Sequence, residues 1–224
     1  MEIFLDTANT NEIDHIMKWG IIDGVTTNQK IFLSEKGVDF KATIKKICEM
    51  VGDDKPVSVE SNGKTLQEIL DDARSFTKIA RNVIAKVPMI KDGIGLEAVK
   101  ILTSEGIKTN VTVMMNFNQL MLATKGGATY VSLFFNRAKD AGEDAAGIIR
   151  NITNWIDCNN YETKLIVGSI RKPDDVMETA IAGAHVITIP YKILLAMPFH
   201  KKTEETIEEF DKAWQEFLIH QKVR

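Results

Sequence analysis

The chain reads as a closed (β/α)8 barrel, and three observations carry that expectation. Eight short runs rich in β-branched and apolar residues recur along its 224 residues, as strands covered on both faces require. Segments with helical spacing lie between them, an alternation that implies parallel strands joined by crossover helices. No linker, low-complexity stretch or break in composition divides the chain. Eight units over residues 1–224 therefore fit one closed barrel domain better than an open sheet.

The strands are expected, in order, at residues 3–6, 24–28, 56–60, 83–87, 109–113, 130–135, 165–169 and 186–189. Helical spacing covers residues 11–19, 65–80, 93–104, 118–125, 141–155 and 173–182. Strong helix formers fill these segments, and Gly20, Gly106, Gly126 and Gly183 fall near their C-terminal ends, where a helix is readily stopped. The length is short for this fold, so the loops must be tight. The last segment, residues 203–223, is charged and amphipathic with Phe210, Trp214 and Phe217 on one face. It reads as an extra helix packed on the barrel or on a neighbouring subunit.

Apolar residues make up 44% of the chain and charged residues 26%, with a formal net charge of −3. That balance gives no electrostatic reason to expect nucleic acid or an anionic membrane as partner. No run is apolar and long enough to span a bilayer and no leader pattern opens the chain, so a cytoplasmic protein is expected. Cys48 and Cys158 lie far apart in helix-like segments and are expected to be buried thiols. The four histidines are scattered without metal-ligand spacing. Neither a metal nor a cofactor is expected.

Lys86 is the only charged residue in the run Asn82-Val83-Ile84-Ala85-Lys86-Val87-Pro88. Burying an ammonium there is costly unless it is paired or deprotonated. A deprotonated lysine is a nucleophile towards carbonyls. Pro88 stops the strand, so Lys86 sits at its C-terminal end, where barrel enzymes carry their catalytic groups. Taken alone, the run equally fits an edge strand with one solvated lysine. Other strand ends carry polar groups: Asp6, Thr26, Thr27, Asn28, Glu60, Asn110, Thr112, Ser132 and Ser169. Singly, Asp6 or Ser169 reads as a helix N-cap. Two carboxylates and a lysine converging on one mouth fit chemistry better. A Schiff-base lysine needs a proton shuttle and an acid or base at the bond being broken, roles that Asp6 and Glu60 can fill. Arg137 and Arg171 follow the sixth and seventh strands. With Ser169 they could hold a terminal anion, although a solvated arginine is the commoner outcome.

These residues resemble the transaldolase family, in particular the small branch that also contains the fructose 6-phosphate aldolases. The matching motifs run from end to end: Phe4-Leu5-Asp6-Thr7-Ala8, Gly24-Val25-Thr26-Thr27-Asn28, Lys86-Val87-Pro88, Thr109-Asn110-Val111-Thr112, Asn136-Arg137, Ser169-Ile170-Arg171 and Thr188-Ile189-Pro190. Each is weak alone; their order is specific. The resemblance implies that Lys86 forms the imine and that Asp6 acts as acid/base at carbon 4. It implies that Glu60 and Thr112 organise a relay water. Asn28, Asn110 and Ser132 would bind donor hydroxyls, with Arg137, Ser169 and Arg171 on the terminal anion. Family aldolases look to have glutamine at Glu60 and tyrosine at Phe134. Phe134 lacks the hydroxyl that helps water release the three-carbon unit, so the resemblance sides with transfer over simple cleavage. It also implies a homo-oligomer, a pentamer or decamer.

The chain departs from the family at Gln29-Lys30, where Pro-Ser is usual, at Met114–Gln119, and at Phe135-Asn136 before Arg137. The loops after the second and sixth strands lie near the expected anion end. A sulfonate sits one atom closer to the sugar than a phosphate ester and carries about one negative charge against roughly −1.5 to −2. Lys30 or Asn136 could reach in to meet it. The expected donor is therefore 6-deoxy-6-sulfofructose, as in the sulfofructose transaldolase branch, releasing sulfolactaldehyde and passing dihydroxyacetone to an aldose phosphate such as glyceraldehyde 3-phosphate. Neutral drift in an ordinary transaldolase of sugar phosphates is the alternative. Simple aldol cleavage and non-catalytic sugar-phosphate binding are the remaining readings.

Overall fold

Strand and helix alternate through the computed structural model, which describes residues 1–222. The strands are β1 (Glu2–Asp6), β2 (Gly24–Thr26), β3 (Val57–Glu60), β4 (Val83–Pro88), β5 (Thr109–Met114), β6 (Tyr130–Phe134), β7 (Lys164–Gly168) and β8 (Val186–Pro190). The helices are α1 (Thr10–Met17), α2 (Gln29–Ser34), α3 (Phe40–Val51), α4 (Leu66–Thr77), α5 (Ile94–Ser104), α6 (Phe117–Lys125), α7 (Phe135–Asp140), α8 (Ala145–Cys158), α9 (Pro173–Ile181), α10 (Tyr191–Ala196) and α11 (Lys201–Lys222). Each strand pairs in parallel with its sequence neighbours, and β8 closes on β1. The expected (β/α)8 barrel with a C-terminal helix is present.

Two apolar regions hold it. The larger lies between the strands and the surrounding helices, with Leu5, Val25, Val59, Val87, Val111 and Ile187 facing outward into it. The smaller, formed by Phe4, Ile84, Tyr130, Ile166 and Val186, plugs the barrel interior. Phe4 and Tyr130 meet edge to face, 6.0 Å between centroids, a favoured aromatic geometry. Gly24 makes room for this plug: a Cβ there would lie 2.8 Å from the Phe4 ring and 2.9 Å from the Pro56 carbonyl.

The differences from the sequence reading fall at element ends. β2 stops at Thr26, because Asn28 caps α2 by accepting from the Ile31 amide at 3.0 Å. β6 stops at Phe134, and Phe135 opens α7. The helix expected from residue 141 starts at Ala145. Gly142, at φ 84°, breaks the chain there, and Asp144 caps the new helix through the Gly147 amide. α11 starts at Lys201; residue 223 of the expected helix lies outside the described residues. Phe210, Trp214 and Phe217 are 70%, 56% and 48% exposed, so they do not pack on the chain's own barrel. Cys48 is buried, and burial pushes its thiol up to about 11. Cys158 corrects the expectation of two buried thiols, because it faces solvent.

Candidate active site

Alternation along the strands builds the mouth. A side chain two residues beyond a plug residue enters the same interior one layer higher. Two residues after Phe4, Ile84, Tyr130, Ile166 and Val186 stand Asp6, Lys86, Ser132, Gly168 and Thr188. All five line one cavity of about 550 Å3 at the C-terminal ends of the strands. The apolar plug is thus its floor.

Lys86 is 5% exposed. Its Nζ donates to the Thr27 carbonyl at 3.1 Å and lies 2.9 Å from Glu60 Oε2. Register produces this pair, since Glu60 on β3 is the direct neighbour of Lys86 on β4. The solvated-lysine alternative is excluded by this burial. A carboxylate in contact with the ammonium both offsets its desolvation and can accept a proton from it.

Asp6 lines the same cavity from β1. Its Oδ1 accepts from Thr26 Oγ1 at 2.6 Å, and that oxygen is 2.5 Å from Thr188 Oγ1. Burial raises the Asp6 carboxyl above its ordinary value; the Lys86 charge and the Thr26 bond pull it back, and Glu60 pushes it up. A carboxyl with a raised proton affinity suits an acid/base role. It does not cap α1, which Asn9 does, and Lys172 rather than Ser169 holds the cap position of α9.

The remaining wall is a polar chain. Ser132 Oγ donates to Asn110 Oδ1 at 2.7 Å, and Asn110 Nδ2 donates to Ser58 Oγ at 3.2 Å. Thr112 Oγ1 is buried with no protein hydrogen-bond partner, and the residue lines the cavity. The β5 ladder shifts register between Val111 and Met114, and Val113 takes φ 63°. A bulge there lets two consecutive residues, Thr112 and Val113, both line the cavity. A β-branched residue in the left-handed region costs about 1–3 kcal/mol, a strain that concentrates at functional sites. Ser169, at φ 63°, follows Gly168 into the cavity in the same way.

At the outer end, the Arg137 guanidinium lies over the Phe134 ring, 5.1 Å from its centroid. Both line the cavity together with Asn28, Lys30 and Ser169. Three expected site residues do not line it. Thr27 turns its hydroxyl to the Ser58 carbonyl at 2.9 Å and meets Lys86 only through its own carbonyl. Asn136 donates to the Ser169 carbonyl and to Asp175 at 2.8 and 2.7 Å, so it straps two loops together. Arg171 pairs with Asp140 on the surface, both more than half exposed. Gln29, Ser34 and Thr188 line the cavity without having been expected. Thr188 was findable from its place two residues after an interior valine. Gln29 and Ser34 sit on α2, a helix of six residues too short to show periodicity. Among the described residues, no group of three or more His, Cys, Asp or Glu is placed to hold a metal.

A parallel barrel with a buried lysine–carboxylate pair and a second carboxyl at its C-terminal mouth is suited to lysine-based carbonyl chemistry. The chain belongs to the transaldolase/fructose-6-phosphate aldolase family, which it matches over residues 3–223. It is 42% identical over 216 residues to a probable transaldolase of Clostridium acetobutylicum, covering 96% of this chain and 98% of that protein. It is 43% identical over 218 residues to a probable transaldolase of Caldicellulosiruptor saccharolyticus, covering 96% and 97%. A third, from Lactiplantibacillus plantarum, is 39% identical over 222 residues, covering 99% and 100%.

Proposed function

We propose that the protein is a Schiff-base transaldolase that moves a dihydroxyacetone unit from a ketose with a terminal anion to an aldose phosphate. The observation that carries this reading is the contact of Lys86 Nζ with Glu60, 2.9 Å apart and largely buried. Glu60 takes a proton from the ammonium, and the free amine attacks the ketose carbonyl. The carbonyl oxygen leaves as water; its two protons are the two that Lys86 loses, one of them carried by Glu60. Asp6 then takes the proton of the carbon-4 hydroxyl, the bond between carbons 3 and 4 breaks, and its electron pair flows into the iminium to give an enamine. The released aldehyde leaves and the acceptor aldehyde enters. Bond formation and hydrolysis run these steps in reverse. Phe134 offers no hydroxyl to protonate the enamine, which favours transfer over release. Arg137 and Lys30 are the cations lining the outer cavity, and they support an anionic substrate tail.

The donor is taken first as a sugar phosphate, in keeping with the fructose 6-phosphate in the family's name. A sulfonate donor is the second reading and rests on Lys30, which lines the cavity. Asn136 lends it no support, being tied to Ser169 and Asp175. One assay separates them. With glyceraldehyde 3-phosphate as acceptor, sedoheptulose 7-phosphate and 6-deoxy-6-sulfofructose both yield fructose 6-phosphate on transfer. Faster turnover with the phosphate removes the sulfonate reading; failure with both donors removes the transaldolase reading. The exposed apolar face of α11 supports assembly with further copies, and a cytoplasmic setting belongs to the same reading.

A further inference from the structure

Beside the main cavity lies a second one of about 180 Å3. We infer that it is the side route by which water and protons reach the Lys86–Glu60 pair while a sugar fills the mouth, an inference that rests on the imine chemistry proposed above. Phe32 and Phe40, with centroids 4.9 Å apart, form one wall, and Thr27, Asn28, Gln29, Glu60 and Asn62 line the rest. Both groups that touch Lys86 Nζ, the Thr27 carbonyl and the Glu60 carboxylate, belong to residues shared with this space. Asn62 and Gln29 are exposed, so it reaches the surface. It has room for several waters.

The route answers a demand of the chemistry. Imine formation expels one water at Lys86, deep in the cavity, and hydrolysis needs one back. The floor beneath is the plug of Phe4, Ile84, Tyr130, Ile166 and Val186, whose one side-chain polar group is the Tyr130 hydroxyl. The sugar itself stands above. Glu60 is common to both cavities, so a proton or water passing it need not cross the substrate. Gln29 lines both as well, and its Nε2 donates to the Ser61 carbonyl at 3.2 Å. It thereby bridges the loops after β2 and β3. The proline usual at this position in the family has no side-chain amide to make that bridge.

The test follows the carbonyl oxygen. A ketose donor labelled with 18O at its carbonyl is incubated in unlabelled water without acceptor, and loss of label is timed. Asn62→Phe plugs the outer end of the side cavity. It is expected to slow label loss roughly tenfold or more, the scale of an impaired proton relay. The amount of borohydride-trapped adduct on Lys86 stays unchanged. Asn62→Ala is expected to match the unmodified protein. Should Asn62→Phe not fold, Phe40→Trp narrows the same space from the facing wall. Label loss as fast in a folded plugged variant as in the unmodified protein overturns the side route alone. Absence of any adduct in the unmodified protein overturns the imine reading and the route with it.

Discussion

Replacing Lys86 by methionine leaves Glu60 as a buried carboxylate without its partner. The two side chains are 6% and 9% exposed and 2.9 Å apart. Removing one member of such a pair typically costs about 3–5 kcal/mol, whereas replacing both with groups of similar shape is near neutral. Lys86→Met and Glu60→Gln are therefore each expected to lower stability by about 3 kcal/mol. For a chain of this size that is a fall in Tm of about 6–12 °C. The double variant should lose less than either single variant, which requires a coupling above about 3 kcal/mol. Urea unfolding of the four proteins at pH 7, comparing midpoints at constant slope, reads the cycle. Losses that simply add, to within about 0.5 kcal/mol, would refute the claim that the resting site is held by this ion pair.

Three further predictions follow from the same geometry. Burial holds the Asp6 carboxyl above its ordinary 3.8, so the folded form keeps a proton that the unfolded form has released. Its contribution to stability is therefore greatest below pH 3.8 and declines as pH rises through the folded-state value. Asp6→Asn should accordingly be more stable than the unmodified protein at pH 7, by a margin that shrinks towards pH 3.8, while transfer falls by about 100-fold or more; a constant margin in a pH series of thermal melts would contradict this. Phe134→Tyr restores a hydroxyl beside the enamine and should release free dihydroxyacetone without an acceptor, measured by coupled reduction; unchanged release would remove Phe134 from the choice between transfer and cleavage. Arg137→Ala should raise KM for a ketose phosphate by roughly 10–150-fold, the loss of one charge-assisted hydrogen bond. Arg171→Ala, losing only an exposed pair with Asp140, should change it less than about threefold, and equal effects would put Arg171 back on the anion.

Much of this was legible because a parallel barrel repeats one unit, a short apolar strand followed by a crossover helix. Lys86, Asp6 and Glu60 could be placed at strand ends from β-branched runs and their stops. Register, observed as Glu60 beside Lys86, then follows from consecutive strands being neighbours. What was not legible depends on backbone that leaves strict alternation. The β5 bulge at Val113 admits a side chain that a regular strand would turn away. The fates of Asn136 and Arg171 were set by partners far along the chain, Asp175 and Asp140, which no local pattern reveals. The side cavity needs α2 and the aromatic pair Phe32 and Phe40, brought against Glu60 only by the fold.

In the proposed reaction the Lys86 amine condenses with a ketose and retains three of its carbons. Borohydride reduction in the presence of fructose 6-phosphate, followed by peptide mass analysis, tests it directly. A reduced three-carbon adduct is expected on the peptide carrying Lys86, absent from Lys86→Met. No adduct, or one on a different lysine, would contradict it.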